Sequence, residues 1–169
     1  MKRLPILLLF LAAFMLNAAA GSPGGKSSTA EERQRVVVIA HKLEVTPLDA
    51  TLAPEREWAK QWVIGNPDVR IRMCMQLLAG LRTPPYKFRP EIVIQMMLSN
   101  AAFLIEHPDK NGDHLAENVG GLQGVLKAYS AIVKSNPDAH AKPLDDLVQK
   151  QSQGKLVDSV RDTITLCHF

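Results

Sequence analysis

The stretch 103–121, FLIEHPDKNGDHLAENVGG, places Asp109, Asn111 and Asp113 at alternate positions, with His107, His114 and Glu117 close by. Alternating oxygen donors open a calcium loop, and imidazole with carboxylate suits zinc. Counted from Asp109, an EF-hand loop also needs Gly at the sixth position and a bidentate Glu at the twelfth. Those positions carry His114 and Gly120. His114 and Glu117 can share a helix face, but zinc takes three protein ligands in catalytic sites and four in structural ones. Neither HExxH nor CxxC occurs. A turn between two helices accounts for the same residues. Pro108 stops one helix, Asn111-Gly112 turns, Asp113 caps the next helix, and Glu117 sits near its positive end. No metal or other cofactor is expected.

Other chemistries fare no better. Met73-Cys74-Met75 offers soft donors for copper(I). On a helix, however, Met73 and Met75 point about 200° apart. With Met96 and Met97 they read as adaptable core filler. There is no GxSxG and no Ser-x-x-Lys in the setting that nucleophilic catalysis needs. Asp145 and Asp146 are helix neighbours whose side chains diverge. His41 stands alone on an apolar helix, where a satisfied structural role is the usual one. A non-enzymatic protein is therefore expected.

The elements that must carry these residues begin after a targeting segment. Lys2 and Arg3 precede the apolar run Ile6 to Leu16, and Ala18, Ala19 and Ala20 supply small residues for a signal peptidase. The run is too short for a bilayer span of about 20 residues. Cleavage after Ala20 is expected, with delivery to a periplasm or the exterior and no membrane span in the mature form. Loss of Lys2 and Arg3 lowers the formal net charge from +3 to +1. The basic residues of 55–90 are too sparse for a nucleic-acid surface. Residues 21–30, GSPGGKSSTA, read as a flexible linker, leaving 31–169 as one domain.

That domain reads as all-α, with six to seven short helices. Thr29 and Glu32 form a capping box ahead of Val36, Ile39, Ala40 and Leu43. Pro54, Pro90 and Pro143 each suit a first helical turn. Asn66-Pro67 is expected to open a helix through Cys74, although Val69 to Met73 alternates as a strand would. Asp113 opens the segment carrying Leu115, Leu122, Leu126 and Tyr129. Gly154 separates the last two helices.

Three segments end alike, in WVIGNPD, FLIEHPD and AIVKSNPD. The last, 124-GVLKAYSAIVKSNPDA-139, resembles the second helix of a tetratricopeptide repeat. Pro67, Pro108 and Pro137 are not evenly spaced, and no earlier segment carries the matching first helix. The likeness is read as shared helix-stop chemistry.

Two features suggest an interaction surface for an as yet unknown protein partner. Trp58 and Trp62 lie one turn apart and could anchor an interface, although core packing is the commoner use of such residues. Ala116, Gly120, Gly124 and Ala128 form a small-residue stripe against which a helix of this fold, or of a partner, could pack closely. Finally, Cys74 and Cys167 are the only cysteines. In an oxidising compartment this pair is expected to form a disulfide tying the C-terminus to the core.

Overall fold

The computed structural model describes residues 27–169. The expected signal peptide and the first part of the expected linker lie outside the described residues. Six α-helices follow: α1 (Ala30–Val45), α2 (Ala53–Gly65), α3 (Arg89–Glu106), α4 (His114–Ser135), α5 (Lys142–Ser152) and α6 (Leu156–Ile164). A seven-residue 3₁₀ helix, Met75–Leu81, lies between α2 and α3. Among the described residues there is no strand.

Local chemistry sets most boundaries. The Thr29 hydroxyl accepts the Glu32 N–H at 3.1 Å, and the Glu32 carboxylate accepts the Thr29 N–H at 3.0 Å. This completes the capping box of α1. Proline occupies the first turn of α2, α3 and α5, where its missing N–H costs nothing. Gly112, at φ +90°, makes the turn before α4, and Gly154, at φ +71°, separates α5 from α6.

The helix expected from Asn66 does not form there. The Asn66 side chain instead accepts the Asp68 N–H at 2.9 Å, closing a local turn. Residues 69–74 then form neither helix nor strand before the 3₁₀ helix, and a side chain satisfies their backbone. Buried Asn118, on α4, donates to the Arg72 carbonyl at 2.9 Å and accepts the Cys74 N–H at 2.8 Å. Val69 and Cys74 turn into the core.

Helix α3 divides that core. Leu98, Ala101, Ala102 and Leu104 pack with Val36, Ile39 and Leu43 of α1 and Ala59 and Val63 of α2. Ile92 and Met96 pack with Leu122, Leu126, Tyr129 and Ile132 of α4, with Leu144 of α5 and with Val160 of α6. A helix apolar on both sides belongs between two layers. The Cys74–Cys167 disulfide joins the irregular segment before the 3₁₀ helix to the chain just past α6 across a sequence separation of 93, with Cα atoms 5.6 Å apart.

The small-residue stripe lets α3 and α4 approach closely. A Cβ at Gly120 would strike the Phe103 ring, one at Gly121 the Asn100 amide, and one at Gly124 the Ser99 side chain. Helix α4 stays continuous through all three glycines. The stripe around Gly120 and Gly124 is thus occupied from within the chain, and no second helix has room there.

Candidate functional site

The residues of 107–117 serve the turn between α3 and α4. His107 caps the C-terminus of α3, its N–H donating to the Phe103 carbonyl at 2.8 Å and its ring lying against the Phe103 ring. Asp109 is exposed beside Lys110, and Asn111 is exposed. The Asp113 carboxylate accepts the Ala116 N–H at 3.0 Å and so caps α4. The Glu117 carboxylate is fully buried and accepts the Gly112 N–H at 2.7 Å. His114 stacks on the ring of Phe169, with centroids 4.3 Å apart. Its Nδ1 stands 3.8 Å from Glu117 Oε2, and among the described residues neither atom has a hydrogen-bond partner. Among the described residues, no three His, Cys, Asp or Glu side chains come together as metal ligands would.

A second polar cluster links three helices. Glu44 of α1 is buried. One of its oxygens lies 3.1 Å from His41 Nδ1 and 2.9 Å from Lys127 Nζ on α4. The other ring nitrogen of His41 lies 3.1 Å from Glu106 on α3. Partial burial alone would depress the His41 pKa. Hydrogen bonds to Glu106 and Glu44, with their negative charges, outweigh it and raise the pKa above the ordinary histidine value. This cluster ties α1, α3 and α4 together.

Trp58 and Trp62 are half-buried on α2, their rings stacked with centroids 6.5 Å apart. The Arg35 guanidinium lies 3.8 Å above the Trp58 ring, a cation–π contact from α1. Both indoles pack against the α1–α3 layer.

A larger concavity lies elsewhere, between two connections that no sequence pattern links. A cleft of about 710 Å³ separates residues 83–88 from residues 135–143. Both walls are proline-bearing connections without helical periodicity, TPPYKF and SNPDAHAKP. Pro84, Pro85, Tyr86 and Phe88 face Pro137, Ala139 and Pro143. The Tyr86 and Phe88 rings meet edge-on at 5.8 Å, and Tyr86 meets Tyr129 at 6.3 Å.

Polar groups around the cleft bond to one another. The Tyr86 hydroxyl donates to the Ala139 carbonyl at 3.0 Å. The Tyr129 hydroxyl donates to Asp145 at 2.6 Å and accepts the Ala141 N–H at 2.9 Å. His140 Nδ1 lies 3.0 Å from the same Asp145 oxygen. Burial pushes Tyr86 up to about 12, helped by the charges of Asp145 and Glu91. Burial and the hydrogen bond to Asp145 push Tyr129 up as well. Burial would raise Asp145, but hydrogen bonds from Tyr129 and His140 hold its carboxyl below the usual range. With its proton committed to the bond with Ala139, Tyr86 forms part of the cleft wall rather than an acid–base group, and Tyr129 is buried in the core behind it.

A shallower groove of about 480 Å³ adjoins the cleft. It is lined by Val45, Leu48, Ala131 and Lys134 and shares Ser135 with the cleft. Val45 and Leu48 are exposed apolar residues at the end of α1. The signal that could have found this surface was the pair of proline-rich, aromatic and lysine-bearing connections. Their meeting in space depends on the packing of α3, α4 and α5.

Compared with known protein families, curated sequences and solved structures, the chain matches none. Among the described residues, no helix is long and apolar enough to cross a membrane.

Proposed function

We propose that this chain is an exported, disulfide-bonded helical module that acts without catalysis, by binding another protein through the cleft between residues 83–88 and 135–143. The cleft itself carries the reading. Two proline-bearing connections meet there, with Tyr86 and Phe88 of one opposite Pro137 and Pro143 of the other, so that apolar and polar side chains share one concave surface open to contact. The apolar run before Ala20 and the pairing of the only two cysteines support export to an oxidising compartment. Site-specific photo-cross-linking in the native compartment tests it. A cross-linker at Lys87, on the cleft, should capture a protein in stoichiometric amount, while one at exposed Gln151 should not. Equal capture at both positions, or none at Lys87, would sink the proposal.

A second reading, a metal-binding protein, draws on the buried and unpaired Glu117 Oε2 and His114 Nδ1. Two donors fall short of a zinc or calcium site. Micromolar Zn²⁺ or Ca²⁺ should leave the melting temperature unchanged. A rise that disappears in Glu117→Gln would put the metal reading first.

A further inference from the structure

We infer that Asn111 is a spontaneous modification site, where the chain's own backbone converts asparagine to aspartate and isoaspartate, and that buried Glu117 holds the site shut while the protein is folded. The reaction needs an asparagine with a free side chain, followed by a residue whose N–H can attack it. Five asparagines lie among the described residues. Asn66 and Asn136 precede proline, which has no N–H. Asn100 and Asn118 are fully buried within α3 and α4. Asn111 is exposed, and Gly112 after it has no Cβ to hinder attack. The Gly112 nitrogen would bond to Asn111 Cγ and give its proton to solvent. The bond from Cγ to the side-chain nitrogen would break, and that nitrogen would take a proton from water and leave as ammonia. Water would then open the resulting five-membered imide at either carbonyl, giving aspartate or isoaspartate.

Two features of the fold oppose the first step. Lys110 to Asp113 form a type II turn, closed by the Asp113 N–H on the Lys110 carbonyl at 3.0 Å, with Asn111 at φ −63°, ψ 122° and Gly112 at φ +90°. Ring closure requires the Gly112 nitrogen and the Asn111 Cβ to lie on the same side of the Cα–C bond, which for an L residue means a negative ψ. The positive ψ of this turn swings the nitrogen away from Cγ, out of any near-attack arrangement. The same N–H donates to Glu117 Oε1 at 2.7 Å, and that carboxylate is fully buried. A carboxylate is far too weak a base to ionise a peptide N–H, so the bond restrains the nitrogen rather than activating it. Asn111 therefore reacts when the turn opens, and opening breaks the Glu117 bond. The product adds a negative charge to a turn that already carries Asp109 and Asp113, and isoaspartate lengthens its main chain. The change is irreversible, so it records which molecules have opened there.

Peptide mapping by mass spectrometry, after warm incubation of the oxidised protein at mildly alkaline pH, tests the inference. The folded natural protein should convert position 111 slowly, and the same protein in concentrated urea about tenfold faster or more. Glu117→Ala, still folded by its far-ultraviolet helix content, should convert about tenfold faster than the natural protein, because a hydrogen bond to a charged acceptor is lost. Should that variant fail to fold, Glu117→Gln, which keeps an acceptor oxygen without the charge, should still convert faster than the natural protein. Gly124→Ala, which perturbs α4 away from the turn, should not. Conversion as fast in the folded chain as in urea, or none at position 111 in urea, would overturn the inference. Equal acceleration in Gly124→Ala would place the protection in global stability and overturn it too. A Glu117 variant that folds and reacts no faster would remove Glu117 as the guard, and one that reacts more slowly would make Glu117 a base that assists the attack.

Discussion

Single residues here are explained by what touches them, and glycine by what it leaves out. Gly124 sits where α3 presses Ser99 into α4, with Glu44 close by. Alanine would gain about 1 kcal/mol of helix propensity there. The collision with a backbone-proximal side chain should cost more, as overpacking typically costs about 1–3 kcal/mol. Gly124→Ala should therefore lower the stability measured by urea unfolding. Gly65→Ala, at the end of α2 with open space around its Cβ position, should change it by less than about 0.5 kcal/mol. If the two variants behave alike, the close approach of α3 and α4 is wrong. The tyrosines make a second residue-scale case. The chain has only Tyr86 and Tyr129, and both are shifted upward. A spectrophotometric titration of the native protein should show no tyrosinate at pH 10, near the ordinary tyrosine value. Their raised native values imply that stability is full below about pH 10 and falls as the pH climbs towards 12. Half-ionisation near pH 10 in the folded protein would mean that the cleft hydrogen bonds do not exist in solution.

At the scale of elements, two connections between helices carry more than linkage. The irregular residues 69–74 are held to α4 by the amide of Asn118, which bonds the Arg72 carbonyl and the Cys74 N–H. The His41 bridge likewise holds α1 to α3, with Lys127 of α4 on the same Glu44 carboxylate. Because the His41 pKa is raised in the folded state, its contribution is complete below the unfolded value of about 6.5 and is lost as pH rises through the higher folded value. The ring is nearly half exposed, so after solvent screening the effect should be no more than about 1 kcal/mol. Comparing urea midpoints of the natural protein and His41→Gln should show a larger difference at pH 5.5 than at pH 8.5. A difference that grows with pH would mean that the imidazole is not bridging the two carboxylates as a cation.

Across the whole molecule, the disulfide is the longest-range constraint. It closes a loop spanning 93 positions and pins the chain beyond α6 beside the segment that precedes the 3₁₀ helix. Loop entropy sets an upper limit of about 4–5 kcal/mol for that closure. Cys167→Ser should lower the melting temperature while leaving far-ultraviolet helix content nearly unchanged, because each of the two core layers keeps its own apolar contacts. Collapse of helix content in this variant would mean that the layers depend on the bridge to form at all.

Helix identity was legible in the chain because its signals are local. The Thr29–Glu32 capping box, the first-turn prolines and the Asp113 cap each act within a few residues of where they stand. The cysteine pairing was legible for a different reason, since two thiols in an oxidising compartment have a single intramolecular way to pair. The segment after Asn66 was not. It was expected as helix, and it forms neither helix nor strand because its backbone is satisfied by the side chain of Asn118, far along the sequence. The use of the Gly120–Gly124 stripe was also open until α3 was seen to fill it. The cleft was the least legible of all. Its walls are two separate proline-rich connections with no periodicity of their own, and only the packing of α3, α4 and α5 brings Tyr86 and Phe88 opposite Pro137 and Pro143. Local pattern can specify a helix because its hydrogen bonds close within four residues; a concave surface belongs to several elements at once, so tertiary contact alone decides it.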